Sequence, residues 1–423
     1  VTITGRYTVR PAEPTPSGVM YLNASDQIKD ISHTPTIYFY RKGDGDAISR
    51  LRESLAKALV LFYPLAGRLA WAPQGGSRVE LLCNAEGVAV LEAETEDTID
   101  GMEDFTPTTA IEAFIPAMDY TAPIETIPLV AAQLTRFGCG GVSLGLGICH
   151  VMADGPSALH FVDVWAKVAR GDGTIEPPFL DRKVLDLPAT TKFDPSVLRP
   201  PPTLIGLEDN QEQKKKPITV ALLNLTKLQI QKLREKANLD LPLPRDSGGR
   251  GYTRFEALTC LHFVADFRNK LQPPLPHNYF GNALIRVESQ DKSGQLLSSS
   301  VGTAAKKIRE SVEKVRDETV RAYLEFLKGL PDVGRFRSLD TRGIPKGDFY
   351  GNPNLVIISW TALALYGADF GWGKEIHMGP GSMGFDGKTF LIPSQSGDGS
   401  LNVVIWLQEE HMPAFKKLLY DEI

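Results

Sequence analysis

Two apolar segments of the chain, residues 129–137 and 142–149, are joined by the short connection Gly-Cys-Gly-Gly. A glycine-rich connection of this length favours a β-hairpin, because glycine adopts the backbone conformations that tight turns require. The second segment leads to His150, and residues 157–169 then place apolar side chains at helical spacing. The sequence therefore predicts a strand pair that carries a histidine to the start of a helix.

The histidine belongs to the pattern His-x-x-x-Asp-Gly, which ends at Asp154 and Gly155. Histidine transfers protons near neutral pH, and a strand end that presents it at a turn is a common way to hold a general base. Short patterns also arise by chance, and many histidines serve structure alone. The pattern by itself is therefore compatible with a catalytic or a structural His150.

The length of the chain, 423 residues, exceeds what one hydrophobic core usually supports and predicts two domains. Residues 186–217 are polar and rich in proline, so we expect an exposed linker between a domain of residues 1–185 and one of residues 218–423. Both halves mix helix and strand signals without strict alternation, which disfavours a doubly wound nucleotide-binding fold. The expected class is a mixed α/β (α+β) fold.

Further elements follow from periodicity and capping residues. The first ten residues alternate like an edge strand, and residues 51–62 are predicted to be helical. In the second half, helices are expected after Thr226 and over 253–263, and strands over 218–225, 279–287, 355–360, 389–393 and 401–407.

The composition argues against several classes of protein. The net charge of −5 argues mildly against nucleic acid as a partner, and no apolar run approaches the ~20 residues of a membrane span. The amino terminus lacks the apolar region of a secretory signal, and no histidine shows metal-ligand spacing. We therefore expect a cytoplasmic protein without a metal site and with reduced cysteines, which are Cys83, Cys139, Cys149 and Cys260.

A second motif is Asp369-Phe-Gly-Trp-Gly373. It is typical of a tight turn with buried aromatic rings, in which Asp369 pairs with a basic residue. A functional alternative places the indole N–H of Trp372 beside a developing oxyanion; we favour the structural interpretation, because indoles are usually packing anchors. The glycine-rich run 379–389 lacks Walker A spacing, and the chain contains no Gly-x-Ser-x-Gly nucleophile elbow.

These motifs, in this order, resemble the plant BAHD acyl-CoA-dependent acyltransferases, and the resemblance covers nearly the whole chain. It also includes the segments Leu51-x-x-Ser-Leu55 to Phe62-Tyr-Pro-Leu-Ala-Gly-Arg68, Ser32-His-Thr-Pro-Thr-Ile-Tyr-Phe-Tyr40 and Tyr279-Phe-Gly-Asn282. The framework is most similar to the hydroxycinnamoyl-CoA transferase branch. The stretches that begin at Arg10 and Asp26 resemble the spermidine hydroxycinnamoyl transferases.

The resemblance implies a specific architecture. Two chloramphenicol-acetyltransferase-like domains would flank a channel with His150 at its midpoint, and acyl-CoA and acceptor would enter from opposite faces. Residues 186–217 would be the crossover between the domains. The family expectation is a monomer that uses acyl-CoA as co-substrate and needs no other cofactor, membrane or nucleic acid.

The chemistry of the family assigns roles to the motif residues. A CoA thioester is already electrophilic, so a base that deprotonates the acceptor is sufficient, and His150 is that base. Asp154 either turns away and fixes the loop, which we favour, or orients the imidazole. The oxyanion donor would be the Trp372 N–H or a hydroxyl such as Thr389. From the family we expect an ion pair between Asp369 and Arg268, with Gly371 and Gly373 forming the turn.

The resemblance also indicates substrate contacts. Thr36 and Tyr38 match a region that contacts the phenolic end of a hydroxycinnamoyl group, although buried strand residues are an equal alternative. His33 lies nearby in the sequence and is a candidate for the channel wall. The expected CoA contacts are Thr253, Arg254 and Lys270.

The acceptor is where the chain departs from the shikimate-using relatives. Those relatives carry an arginine that clamps the acceptor carboxylate, and Ala362 stands at its position. We therefore predict an amine acceptor and a phenolamide product. Two classes of acceptor are compatible with this prediction: polyamines such as spermidine, putrescine and agmatine, and arylalkylamines such as tryptamine and tyramine. Candidate carboxylates for an ammonium group are Glu375, Asp386 and Asp348. The alternatives are an O-acyltransferase of the same family and a non-catalytic acyl-CoA-binding relative.

A second departure is the short connection between Cys260 and Arg268. In the relatives an extra loop separates the helix at 255–263 from the strand that leads to the arginine. The chain either has a deletion here or lacks these residues.

Overall fold

Both halves of the chain form sheets covered by helices in the computed structural model, which describes residues 1–195, 215–239, 262–289, 299–337, 355–381 and 384–421. The strands are β1 (Thr2–Val9), β2 (Gly18–Met20), β3 (His33–Tyr40), β4 (Arg68–Trp71), β5 (Val79–Cys83), β6 (Val88–Thr95), β7 (Val130–Phe137), β8 (Val142–Cys149), β9 (Ile218–Leu225), β10 (His262–Asp266), β11 (Leu284–Glu288), β12 (Val356–Ser359), β13 (His377–Pro380), β14 (Lys388–Pro393) and β15 (Leu401–Gln408). The α-helices are α1 (Ala24–Gln27), α2 (Ala47–Leu61), α3 (Thr109–Glu112), α4 (Gly155–Arg170), α5 (Lys227–Leu239), α6 (Val301–Glu313), α7 (Asp317–Lys328) and α8 (Met412–Asp421). Short 3₁₀ helices cover Tyr63–Ala66, Ile99–Met102, Ile124–Thr126, Arg182–Leu185 and Gly334–Phe336.

The first sheet contains the predicted hairpin, and its strand order is β1-β6-β7-β8-β3-β13. Strands β7 and β8 pair antiparallel, and β1 lies at the edge, so both predictions are confirmed. The opposite edge is β13, a strand from the second half of the chain that pairs with β3. The two halves of the chain therefore share this sheet.

The second sheet has the order β11-β10-β12-β14-β15-β9. The predictions of β9, β12, β14 and β15 are confirmed to within a residue or two. Thr226 accepts a hydrogen bond from the Gln229 N–H at the start of α5, as its predicted capping role requires. Three strands of the first half form a small separate sheet with the order β2-β5-β4.

Helices α2 and α4 bury their apolar faces in the largest hydrophobic cluster of the protein. Leu55 of α2, Trp165 of α4 and Leu146 of β8 belong to this cluster, and so do Phe390 and Trp406 of the second half. Because one continuous core includes residues of both halves, its burial holds the second sheet against the histidine-bearing hairpin.

Two predicted elements in the second half were wrong in part. Residues 262–263, predicted as helix, belong to β10, because a short apolar run fits strand and helix equally well. The rest of that predicted helix lies outside the described residues. The strand predicted over 279–287 begins only at Leu284, because the N–H groups of Asn282 and Ala283 donate to the carboxylates of Asp26 and Asp154 instead of to a neighbouring strand.

The extent of the described chain limits two other predictions. Residues 196–214 of the predicted linker lie outside it, so the division into domains stays a prediction. No helix within the described ranges is long and apolar enough to span a membrane.

Strand β8 carries large apolar side chains on one face and small residues, including two glycines, on the other. Leu144 and Leu146 belong to the large cluster, whereas Gly145 and Gly147 face the opposite way. A Cβ on Gly145 would lie 2.0 Å from the backbone oxygen of Phe114, so the segment around Phe114 packs directly on the strand. This close approach fixes the lateral position of the strand that ends at His150.

We predict that Gly145→Ala lowers the free energy of unfolding by about 1–3 kcal/mol, because the added methyl group meets rigid backbone. Urea denaturation measures the change. Gly45→Ala is the control, since no atom lies within 4 Å of the Cβ it would add. Equal stabilities for the two variants would contradict the proposed close packing.

Candidate active site

His150 stands at a turn that backbone hydrogen bonds hold on both sides. Its N–H donates to the carbonyl oxygen of Ser32 at 3.2 Å, and the Met152 N–H donates to the carbonyl of Cys149 at 2.9 Å. The imidazole Nδ1 is buried and has no hydrogen-bond partner among the described residues. Burial and the nearby charge of Lys29 lower the pKa of His150. The imidazole is therefore neutral at pH 7 and able to accept a proton.

Asp154 points away from the imidazole and fixes the turn. Its Oδ1 accepts the Ser157 N–H at 3.2 Å, which caps α4, and its Oδ2 accepts the Ala283 N–H at 3.0 Å. Two N–H groups of Arg268 donate to the same carboxylate, each at 2.8 Å. Burial would raise the pKa of Asp154, but the guanidinium and these donors hold it below its usual value. This geometry suits the loop-fixing role that the sequence favoured.

A second buried network of hydrogen bonds holds the backbone carbonyls of the turn. The sequence analysis did not predict this network. Asn282 donates to the His150 carbonyl at 2.9 Å, and Arg182 donates to the Met152 carbonyl at 2.7 Å. Both side chains also bind the carboxylate of Asp26, where the Arg182–Asp26 pair has 0% exposure on either side. The signals were present for Asp26 and Asn282, which lie in segments that carry the resemblance, but nothing in the sequence singled out Arg182.

The expected ion pair between Asp369 and Arg268 was wrong. Arg268 pairs with Asp154 and Asp266, whereas Asp369 accepts the N–H groups of Gly371 and Gly373 at 2.7 and 3.0 Å. Asp369 therefore stabilises its own turn, where both glycines have positive φ angles. The expected pair does not form because Arg268 lies beside the histidine turn, whereas Asp369 lies in a different turn.

Trp372 was also wrongly placed among the catalytic candidates. Its ring packs against Tyr40, with 5.2 Å between ring centroids. Tyr40 is the last residue of the eight-residue strand β3, whose first residue, His33, pairs with Cys149. At ~3.3 Å per residue the strand separates Trp372 from the histidine turn by roughly 20 Å. The indole is therefore a packing anchor, in agreement with the structural interpretation of the motif.

Thr389 does not face the histidine either. Strand residues alternate between faces, so Thr389 shares a face with Leu391, which packs in a cluster with Ile230 of α5. Phe390, on the other face, belongs to the cluster of Val151 and Met152. The hydroxyl proposed as an oxyanion donor therefore lies on the wrong side of β14.

His33, expected at the channel wall, lies on the face of β3 that points away from the large cluster. Its Nε2 lies 2.7 Å from the Pro128 carbonyl, and its Nδ1 lies 2.8 Å from the Tyr120 hydroxyl. Burial lowers the pKa of His33 to about 4, so the neutral ring donates from Nε2 and accepts at Nδ1. Both nitrogens are occupied, which makes His33 a structural residue.

Thr36 and Tyr38 share the other face of β3. Thr36 is partly buried and pairs with Leu146, and Tyr38 is buried in the large cluster and pairs with Leu144. Burial and the charge of Glu375 raise the pKa of Tyr38, so its hydroxyl stays protonated. Both hydroxyl-bearing residues therefore lie on the face of the sheet that carries the large cluster, which includes residues of both halves of the chain.

The model of the family described as the Transferase family matches residues 1–261 and 246–422. A hydroxycinnamoyl-CoA:piscidic acid hydroxycinnamoyltransferase from Actaea racemosa is 39% identical, with 100% of both chains covered. A hydroxycinnamoyl-CoA:5-hydroxyanthranilate N-hydroxycinnamoyltransferase from Avena sativa is 35% identical over 100% of this chain and 99% of its own.

The chain is a member of the BAHD acyltransferase family. The crystal structure of vinorine synthase has the same fold, with a TM-score of 0.68, 21% identity, and 97% of this chain and 95% of that chain covered. The mixed α/β, chloramphenicol-acetyltransferase-like architecture expected from the sequence is thereby confirmed.

The remaining candidate residues of this BAHD acyltransferase lie in several places. Thr253, Arg254 and Asp348 lie outside the described residues, and Lys270 is exposed beside Arg316. Ala362 is exposed, and its neighbour Leu363 approaches Gly155 at the start of α4. The two other candidate carboxylates are buried, with Glu375 accepting the Gly367 N–H and Asp386 accepting the Gln408 N–H.

We predict that Arg268→Met destabilises this BAHD acyltransferase by about 3–5 kcal/mol, because it leaves the buried Asp154 carboxylate without its counter-ion. Urea unfolding measures the loss. Lys167→Met is the matched control, since its 2.8 Å pair with Asp163 is partly exposed and is worth about 0.3–0.5 kcal/mol. A similar small loss in both variants would show that the buried pair does not stabilise the turn.

Proposed function

We propose that the protein transfers a hydroxycinnamoyl group from its CoA thioester to a small amine, with His150 as the general base. The observation that carries this proposal is His150 itself, a neutral histidine at a turn that Asp154, Arg268 and Asn282 hold in place. Family membership and the hydroxycinnamoyl-CoA donors named for both relatives support the donor class.

The reaction needs one proton to move. The acceptor reacts as the free amine, whose nitrogen has a lone pair. As this nitrogen attacks the thioester carbonyl, His150 takes a proton from it, and the tetrahedral intermediate then expels CoA thiolate. His150 returns the proton to the sulfur, so no covalent intermediate with the enzyme is formed. Holding donor and acceptor side by side removes much of the entropic barrier.

The hydroxyls of Thr36 and Tyr38 support a phenolic acyl donor. Both residues lie on the face of β3 that carries the large cluster shared by the two halves, and Tyr38 stays protonated. A protonated phenol donates a hydrogen bond to the ring oxygen of a coumaroyl, caffeoyl or feruloyl group. Of the predicted acyl contacts, these two fit the geometry and His33 does not.

Among amines, the charge beside His150 favours a single amino group. The Lys29 ammonium lowers the pKa of His150, so its charge acts on the place where the acceptor reacts. A polyamine such as spermidine would bring further positive charge there, and like-charge repulsion would weaken its binding. Arylalkylamines such as tyramine and tryptamine avoid most of this cost. The second candidate function is O-acylation of a hydroxyl acceptor, which the relative named for piscidic acid favours.

We predict that the protein forms an acyl product from coumaroyl-CoA and a pool of tyramine, tryptamine, spermidine, putrescine, agmatine and shikimate, and that His150→Ala slows the reaction by ~10²–10⁴-fold. Mass spectrometry identifies the product, and thiol release gives the rate. His411→Ala is the control, because His411 is exposed on the opposite half of the chain. Amides support the proposal, and shikimate ester alone would overturn the choice of an amine.

We predict that the acid limb of kcat/KM, with the acceptor concentration expressed as free amine, lies below pH 6.5, because the pKa of His150 is lowered and the neutral base persists as the pH falls. Lys29→Gln removes one of the causes of that shift, so the limb should move toward higher pH. A pH–rate profile of both proteins measures the change. A limb at the same pH in both would show that Lys29 does not act on the base.

A further inference from the structure

Two half-buried lysines, Lys29 and Lys388, come from opposite halves of the chain, and the mechanism above assigns neither of them a substrate contact. Among the residues that the structure describes, neither ammonium group has a carboxylate oxygen within 4 Å. A buried charge without a partner is costly, and proteins usually pair it with a counter-ion or a ligand. An anionic ligand would therefore stabilise the two ammonium groups.

Lys29 lies beside the histidine turn. It follows α1, and the residues after it run along the end of β8, where the Ile31 carbonyl accepts from the Cys149 thiol at 3.1 Å and the Ser32 carbonyl accepts from the His150 N–H at 3.2 Å. This short path explains why the charge of Lys29 acts on His150.

Lys388, on the second sheet, lies within electrostatic reach of Asp30, the residue that follows Lys29 in the chain. It is two residues from Phe390 on β14, so both side chains share a face, and Phe390 packs in the cluster that contains Val151 and Met152. The Lys388 Nζ lies 5.2 Å from the centre of the Phe390 ring and 5.9 Å from that of Trp406. Aromatic faces partly stabilise the ammonium but do not neutralise it.

The charges around the lysines leave a positive excess. Asp26 and Asp154 act on Lys29, but each is already paired with an arginine, Arg182 and Arg268 respectively. Asp30 acts on both lysines, but its single negative charge does not balance the two positive charges of their ammonium groups. Burial lowers the pKa of each lysine to about 8, which leaves both largely charged at pH 7.

We propose that Lys29 and Lys388 form a binding site for a carboxylate on the acceptor, so that the acceptor is an aromatic amino acid or the matching hydroxy acid. This inference rests on the proposed acyl transfer and narrows the acceptor of either candidate function, an amine or a hydroxyl compound, to one that carries a carboxylate. It reverses the conclusion drawn from Ala362: the arginine of the shikimate-using relatives is absent, and two lysines elsewhere supply the positive charge. Two ammonium groups act as point charges and do not need the planar geometry of a guanidinium.

Matched acceptors that differ only in a carboxylate test the site. We would measure kcat and KM at pH 7 with coumaroyl-CoA for tyrosine against tyramine, and for 4-hydroxyphenyllactate against tyrosol. The carboxylated member of the productive pair should have the higher kcat/KM by ~10–100-fold, as expected for a hydrogen bond to a charged group. Lys388→Gln should reduce that preference by raising the KM of the acid alone. Lys29→Gln should also reduce it, on top of the change in the pH profile that it causes for every acceptor.

Two controls separate binding from folding. Lys227→Gln, at the exposed start of α5, should keep the wild-type preference. Thermal unfolding gives a second readout, because Lys388→Gln removes a charge that lacks a close partner and should not lower Tm, while the acid acceptor should raise Tm for the wild type more than for the variant.

The outcomes distinguish the inference from the function on which it rests. Equal kcat/KM within each pair, or an unchanged preference in both lysine variants, would overturn the carboxylate site and leave acyl transfer intact. If no acceptor in any pair, nor in the amine pool, releases CoA from the wild type, the proposed function itself fails.

Discussion

The buried ion pair between Asp154 and Arg268 is the interaction on which the site depends. Asp154 belongs to the turn after β8, and Arg268 follows β10 in the other sheet. The same carboxylate caps α4 and accepts the Ala283 N–H. Because Asp154 is fully buried, loss of Arg268 would leave its carboxylate without a counter-ion, whereas Arg268 also pairs with Asp266. One carboxylate thus joins a helix start, the histidine turn and the second half of the chain.

The base itself has few direct partners. The supporting hydrogen bonds reach the carbonyls of His150 and Met152, not the imidazole, whose Nδ1 has no partner in the described part of the chain. These hydrogen bonds therefore fix the backbone of the histidine turn. The pKa of the His150 imidazole is instead lowered by burial and by the charge of Lys29. This differs from a triad in which an aspartate orients the histidine, because here Arg268 and backbone N–H groups occupy the aspartate.

Much of the framework could be predicted from the chain alone. The hairpin of β7 and β8, helices α2 and α4, and four strands of the second half follow from apolar periodicity and glycine positions, because the faces that pack in the core must repeat with the period of the element. Prediction failed at 279–283, where side-chain carboxylates replace a strand partner, and at Trp372, whose motif suggested chemistry but whose location is set by packing on Tyr40.

The sequence by itself determined the family, the mixed fold and the histidine, because local pattern and motif order specify them. Tertiary structure alone decided which residues meet. It paired Arg268 with Asp154 rather than Asp369 and turned His33 toward Tyr120. It also put Thr389 on the far face of β14 and brought Lys388 within electrostatic reach of Asp30. These outcomes depend on strand register and sheet order, and side chains far apart in sequence carry no local signal of either.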